Sequence, residues 1–191
     1  TSALHIACLA ADLKPGDEVI TSPNTFVASA NCAAYCGAIP IFADIDPRTY
    51  NIAVEEIEKK INPKTKVIIP VHFAGQSCEM ESLQYIVKEA EKRFGHKIYI
   101  IEDASHALGS QYNNTQVGSC VYSDMTVLSF HPVKHITTGE GGAVLTNDSS
   151  LYQKLRLFSS HGIYKDPYSP QVKNNRWYYE QVELGHNYRI T

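Results

Sequence analysis

The stretch KVIIPVHFAGQSCEMESLQYIVKEAEKRFGHKIYIIED, residues 66–103, decides the fold. It begins with KVIIPV at 66–71 and ends with IYII at 98–101, followed by Glu102-Asp103. Both are almost unbroken apolar runs, the pattern of a strand covered on both faces. Between them, residues 80–94 read as a long helix that stops at Gly95. Strand, crossover helix and strand together make the unit of a parallel sheet.

The same alternation extends in both directions. Upstream, residues 2–12 have an apolar face at helical spacing, and Lys14-Pro15-Gly16-Asp17 ends them. Residues 18–21 form a strand. Pro23-Asn24-Thr25 is expected to cap a helix over 26–36 that Gly37 closes. A strand at 39–45 and an amphipathic surface helix at 53–61 follow. Downstream come strands at 125–130 and 143–146 and a helix at 149–159. The expected fold is α/β, a mostly parallel central sheet flanked by helices. Ligands of such sheets sit beyond the carboxyl ends of the strands. Asp103 follows IYII there, Ser129 ends MTVLS, and Lys134 comes shortly after. Residues 162–183, rich in Tyr, Pro and polar groups, read as a long functional loop.

With 191 residues, 43% hydrophobic and 19% charged, the chain has the make-up of one soluble domain with a real core. A formal charge of -3 argues against nucleic acid or an anionic membrane as partner. No apolar stretch reaches the roughly 18 residues a membrane span needs. Cys8, Cys32, Cys36, Cys78 and Cys120 are irregularly spaced and odd in number, as expected for free thiols of a reducing cytoplasm. The chain opens Thr1-Ser2-Ala3 without Met and stops at Arg189-Ile190-Thr191, so a fragment is expected.

The segment from Ser129 to Gly142, SFHPVKHITTGEGG, carries the chemistry. An amine nucleophile must be neutral part of the time, which burial and neighbouring cations favour. From pattern alone, a catalytic Lys134 and an ordinary surface lysine both stand. His131 and His135 flank it four apart, but Pro132 spoils a shared helical face. No Glu fills the general-base place of a zinc motif, and no metal site is expected. Gly139, Gly141 and Gly142 lack the dinucleotide-binding spacing and read as a tight turn before a strand.

Ser-Phe-His-Pro-x-Lys followed by Thr-Thr-Gly-Glu-Gly-Gly resembles the Schiff-base segment of the DegT/DnrJ/EryC1/StrS family. Those are fold-type I pyridoxal-phosphate enzymes that aminate nucleotide-linked keto sugars. Further landmarks appear in order: TSA at 1–3, GDEVI at 16–20, NTFVA at 24–28, FADIDP at 42–47, VHFAGQ at 71–76 and EDASHA at 102–107. His161-Gly162 and GHNYR at 185–189 complete them, so the likeness spans the chain.

The resemblance implies part of a large pyridoxal-phosphate-binding domain over 1–191, without the C-terminal small domain. It implies a homodimer with a shared active site, a nucleotide-sugar substrate and an amino acid donor such as L-glutamate. Lys134 and Asp103 would be catalytic, with Lys134 holding the cofactor and Asp103 facing the pyridine nitrogen. Thr1, Ser2 and Ser129 would bind the phosphate, although Thr1 can equally be an ordinary helix cap and Ser129 a plain strand-end serine. Phe26 would stack on the ring, or else pack in the core. His106, where most members have Gln, would meet the phenolic oxygen or the ring face, or else be a structural histidine. Asn187 would cross to the neighbour's phosphate, or else sit in a turn. His161, Tyr178 and Glu180 would meet substrate. With Tyr164, Tyr168, Trp177 and Tyr179, the loop residues would either contact the sugar and nucleotide or pin the loop to the core. His106, Pro132-Val133 and WYYEQ at 177–181 are most similar to the pseudaminic-acid branch. That branch implies a UDP-4-amino-4,6-dideoxy-N-acetyl-altrosamine type of product. A sugar dehydratase of the family would carry His instead of Lys at 134; a non-catalytic module is the remaining alternative.

Overall fold

The computed structural model describes residues 1–165, 171, 173, 175 and 177–190. The strands are β1 (Glu18–Thr21), β2 (Ile39–Phe42), β3 (Thr65–Ile69), β4 (Tyr99–Asp103), β5 (Gln111–Tyr112), β6 (Thr115–Gln116), β7 (Met125–Ser129) and β8 (Gly142–Leu145). The helices are α1 (Ser2–Ala10), α2 (Ala28–Tyr35), α3 (Val54–Glu58), α4 (Met80–Phe94) and α5 (Ser149–Ser159). A six-stranded sheet runs in the order β2-β1-β3-β4-β7-β8. Its pairs are parallel except β7 with β8. Those two strands are joined by the lysine-bearing turn without a crossover helix, so they return antiparallel.

The apolar runs have a two-sided explanation. Alternate strand residues point to opposite faces. Val19, Val67, Ile69, Ile101 and Val127 pack on one face with Leu4, Cys8, Leu151 and Leu155 from α1 and α5. Ile20, Ile68 and Ile100 pack on the other with Ile57 of α3 and Met80, Leu83 and Val87 of α4. The sheet is thus covered on both sides, as the sequence suggests.

Most elements fall where expected, with local departures. α4 matches at both ends, and Gly95 closes it at φ 73°, a left-handed position that favours glycine. α5 also matches; the Asp148 side chain accepts from Ser150 and Leu151 N–H and caps it. β3 stops at Ile69, because Pro70 has no N–H to continue a ladder. α2 starts at Ala28 with Val27 at the cap position, so Pro23-Asn24-Thr25 does not cap it. The Thr25 hydroxyl is engaged with Ser29 instead, at 2.9 Å. β2 ends at Phe42, and Ile45 forms only an isolated bridge to Ile52. The β5–β6 hairpin was not expected. It turns on Asn113 (φ 47°) and Asn114 (φ 58°), the positive-φ pair of a type I′ hairpin.

The expected loop at 162–183 is closed at its base by β9 (Ile163–Tyr164) and β10 (Glu180–Gln181), an antiparallel pair. Tyr168 lies outside the described residues. Among the described residues, no helix is long and apolar enough to cross a membrane. The five cysteines are all unpaired. Burial and neighbouring Cys32 push the Cys36 thiol up to about 11, so it resists ionisation.

Candidate active site

A cavity of about 650 Å³ opens at the carboxyl ends of β4 and β7, beside the start of α1. Thr1, Ser2, Phe26, Asp103, His106, Ser129 and Lys134 all line it. The topology brings them together. β4 and β7 are neighbours, with Asp103 in register with Val127, so Asp103 and Ser129 emerge at one end of the sheet. A Cβ at Gly142 would meet Leu128 O at 2.7 Å and the Ala3 side chain at 3.5 Å. Glycine there lets α1 begin against the β7–β8 hairpin, which delivers Thr1 and Ser2.

The Asp103 carboxylate is held by three donors. Ser29 Oγ donates to Oδ2 at 2.7 Å, while Ser105 Oγ and N–H donate to Oδ1 at 2.6 and 3.1 Å. Its backbone is fixed too: Asp103 N donates to Pro70 O, and His72 N donates to Asp103 O. A carboxylate has about four acceptor sites. Capacity therefore remains for one N–H from a ligand.

Glu102, one residue earlier, serves the opposite face of the sheet. Its Oε2 accepts from His72 Nε2 at 2.7 Å; its Oε1 accepts from Thr126 Oγ1 at 2.9 Å and from Ser123 Oγ. His72 Nδ1 accepts the Cys78 N–H at 3.1 Å, which leaves the proton on Nε2 facing Glu102. Burial pushes the Glu102 carboxyl up, but the hydrogen bond from His72, with those from the two hydroxyls, outweighs it. Its pKa is held below the ordinary 4.5. This stabilisation is complete above 4.5 and is lost as pH falls through the lower folded value. Glu102→Ala strands these buried donors and is expected to cost about 1–3 kcal/mol near pH 7. Urea unfolding of both proteins from pH 7 down to pH 3 checks this, because the gap should shrink at the acid end. A gap that ignores pH would exclude the ionised carboxylate as the group that holds these donors.

The remaining groups are poised for a ligand. Phe26 is 75% exposed at the cavity, so it is not a core residue. Burial and then the Lys134 charge lower the His106 pKa, against the opposing charge of Asp103. His106 therefore sits within electrostatic reach of both. Ser129 Oγ accepts from His131 N at 3.4 Å, which leaves its own proton to donate. Thr1 makes no side-chain capping bond to α1. Lys134 is half-buried in the turn that Thr137 and Thr138 tie to Phe130 O.

Asn187, His161, Tyr178 and Glu180 do not line the cavity. Asn187 bridges Ser160, and His161 N donates to His186 O at 2.8 Å. Tyr178 donates to Glu180 Oε1 at 2.6 Å within the loop. The same C-terminal segment does bring Arg189 to the cavity, a residue given no role from sequence. Tyr188 anchors it, with its hydroxyl 3.0 Å from His5 Nδ1 and its ring stacked on His186 at 4.8 Å. Sequence reasoning also missed Ser29 and Ser105 around Asp103. Ser105 follows Asp103 by two residues, the spacing at which an Asp bonds the chain ahead of it. Ser29 carries a fainter mark, a hydroxyl on the buried side of an Ala-rich helix.

The donor set suits a flat, phosphate-bearing heterocycle with a ring N–H. An exposed aromatic face, a carboxylate with spare acceptor capacity, hydroxyls and a helix N-terminus converge with Lys134 and Arg189. The fold is that of α/β aminotransferases of known structure. The chain belongs to the DegT/DnrJ/EryC1/StrS aminotransferase family, whose model it matches over residues 1–191. It is 42% identical over 191 residues to GDP-perosamine synthase of Caulobacter vibrioides, covering 47% of that protein. The putative sugar aminotransferase Spr1654 of Streptococcus pneumoniae, in its PMP form, superposes with a TM-score of 0.85 at 33% identity. That match covers 97% of this chain and 49% of Spr1654. Helicobacter pylori PseC, an aminotransferase of pseudoaminic acid biosynthesis, superposes with a TM-score of 0.82 at 38% identity, over 99% of this chain and 47% of PseC. The chain thus spans about half the length of these relatives.

Proposed function

We propose that this chain is part of the large, cofactor-binding domain of a pyridoxal-phosphate-dependent enzyme. The enzyme aminates a nucleotide-linked 4-keto-6-deoxy sugar with an amino acid, L-glutamate by preference. The observation that carries the reading is the convergence of Lys134, Asp103 and Phe26 on one cavity with the hydroxyls of Thr1, Ser2 and Ser129. Lys134 would hold the cofactor covalently through Nζ. Asp103 would keep the ring nitrogen protonated, Phe26 would cover one ring face, and His106 would meet the phenolic oxygen. Thr1, Ser2, Ser129 and the first N–H groups of α1 would take the phosphate. When bound, the cofactor supplies an electron sink for the bonds at the amino carbon. The residues would do the rest: Lys134 Nζ would move the proton from the donor's α-carbon to the cofactor's carbon, and Asp103 would accept the ring N–H.

Asn187 lies outside its own cavity, which supports a role across a homodimer interface toward the partner's phosphate. His161, Tyr178 and Glu180 are proposed to meet the sugar and nucleotide. Lys at position 134 speaks against the dehydratase chemistry of the family and for amine transfer. Likeness to PseC supports a UDP-4-amino-4,6-dideoxy-N-acetyl-altrosamine type of product and pseudaminic acid biosynthesis. The 42% identity to GDP-perosamine synthase favours a GDP-linked 4-keto sugar as the second reading. Free cysteines support a cytoplasmic setting.

The test is the full-length protein with glutamate and a panel of UDP- and GDP-linked 4-keto-6-deoxy sugars. Glutamate should be consumed one-for-one with appearance of an amino sugar for one nucleotide class. Failure to consume glutamate, or any other amino donor, with every keto sugar would overturn the proposal.

A further inference from the structure

Asp103 is held on one side by a chain of two hydroxyls. Ser29 of α2 is 0% exposed, and its Oγ stands 2.7 Å from Asp103 Oδ2 and 2.9 Å from Thr25 Oγ1. Counting protons fixes the direction of both bonds. A carboxylate only accepts, so the single Ser29 O–H is spent on Asp103. The contact with Thr25 is then Thr25 O–H donating to Ser29. Thr25 reaches the cavity wall. With its own proton committed inward, its oxygen offers only lone pairs to whatever binds there.

We propose that Ser29 is the positioning residue for Asp103: the Thr25–Ser29–Asp103 chain fixes the carboxylate's orientation toward the ligand and turns Thr25 into an acceptor at the cavity wall. The proposal rests on the reading of Asp103 as the partner of a protonated ring nitrogen. Both Ser105 donors address Oδ1. Ser29 alone holds Oδ2 among the hydrogen bonds described. Without it the carboxylate can rotate about its last bond, and the N–H it faces loses a fixed acceptor. A ligand lacking that N–H should be indifferent to the change.

The experiment measures binding rather than turnover. Full-length protein is titrated with pyridoxal phosphate and with its 1-deaza analogue, in which carbon replaces the ring nitrogen. Ser29→Ala should weaken pyridoxal phosphate about tenfold and leave the deaza analogue nearly unchanged. Thr25→Val removes the outer link and should give a smaller loss with the same selectivity. It serves in place of Ser29→Ala if that variant does not fold. Ser29→Ala combined with Asp103→Asn should behave like Asp103→Asn alone. Equal weakening of both compounds would mean a purely structural role and overturn the inference. If Asp103→Asn itself fails to discriminate between the compounds, the assignment of Asp103 is what fails, and this inference falls with it. If Asp103→Asn discriminates and neither Ser29→Ala nor Thr25→Val does, only the inference falls.

Discussion

Full-length protein carrying Lys134→Ala should lose covalent cofactor capture altogether, and its turnover should fall by at least about 10²–10⁴-fold. In the proposed function a single amine would have two tasks, the covalent hold and the movement of a proton at the donor's α-carbon. The rest of the cavity wall does not depend on it. Thr1, Ser2, Ser129, Phe26 and Asp103 all belong to other elements, so cofactor should still bind non-covalently. Stability should barely change, because Lys134 is half-buried in a turn whose ties run through Phe130, Thr137 and Thr138. Substitutions at such positions cost within about 0.5 kcal/mol. Borohydride reduction followed by peptide mass spectrometry reads the covalent bond directly. Wild-type protein should carry the label on the peptide containing Lys134, and the variant should carry none. Label on another lysine in the wild-type protein would remove the basis of the proposed function.

The legibility of this chain divides along physical lines. Strands buried on both faces produce runs such as VII at 67–69, and a helix with a single buried stripe ends at a glycine, so β3, β4 and α4 were readable. Short-range signals failed where the side chains found other partners. Asn24 and Thr25 look like caps, yet Asn24 Nδ2 donates to Tyr50 O at 3.2 Å and Thr25 turns to Ser29. With α2 beginning at Ala28, the cap position falls on Val27 and neither side chain accepts from the helix terminus. Pro70 was absorbed into an apolar run although it ends the ladder.

The site shows the same division. Asp103, Ser129 and Lys134 stand out as candidates because they follow strands, where an open sheet collects its ligands, while their proposed roles come from the family likeness. Phe26, Thr1, Ser2 and His106 came from family likeness, and the cavity gathers them. Ser29 gave no periodic sign of its partner, since Asp103 is 74 positions away. Arg189 reaches the cavity on a segment that the His5–Tyr188 contact, between residues 183 apart, helps to anchor. No window of sequence contains either relation.

Asp103→Ala should keep cofactor in part and keep its covalent capture by Lys134, yet lose about 10²–10³-fold or more in kcat. The two carboxylates of Glu102-Asp103 explain why no neighbour can stand in. Glu102 faces away from the cavity and is held there by His72, Ser123 and Thr126. Glu140 also lines the cavity, but it lies on the 130–141 turn, where its carboxylate stands 4.0 Å from His131 Nε2 rather than in the Ser29–Ser105 cradle. Removing Asp103 leaves the hydroxyls of Ser29 and Ser105 facing no carboxylate, at a cost of about 1–3 kcal/mol. Stability must therefore be measured beside activity. Thermal unfolding should show a folded variant of reduced stability, and kcat at a temperature well below its transition should still be depressed by the full factor. Loss of kcat without loss of the Lys134 adduct would separate the two proposed roles, because the two groups would act on different atoms of one ligand. A variant that retains near-normal kcat would mean the ring nitrogen needs no charge beneath it, and the assignment of Asp103 would fail while that of Lys134 stood.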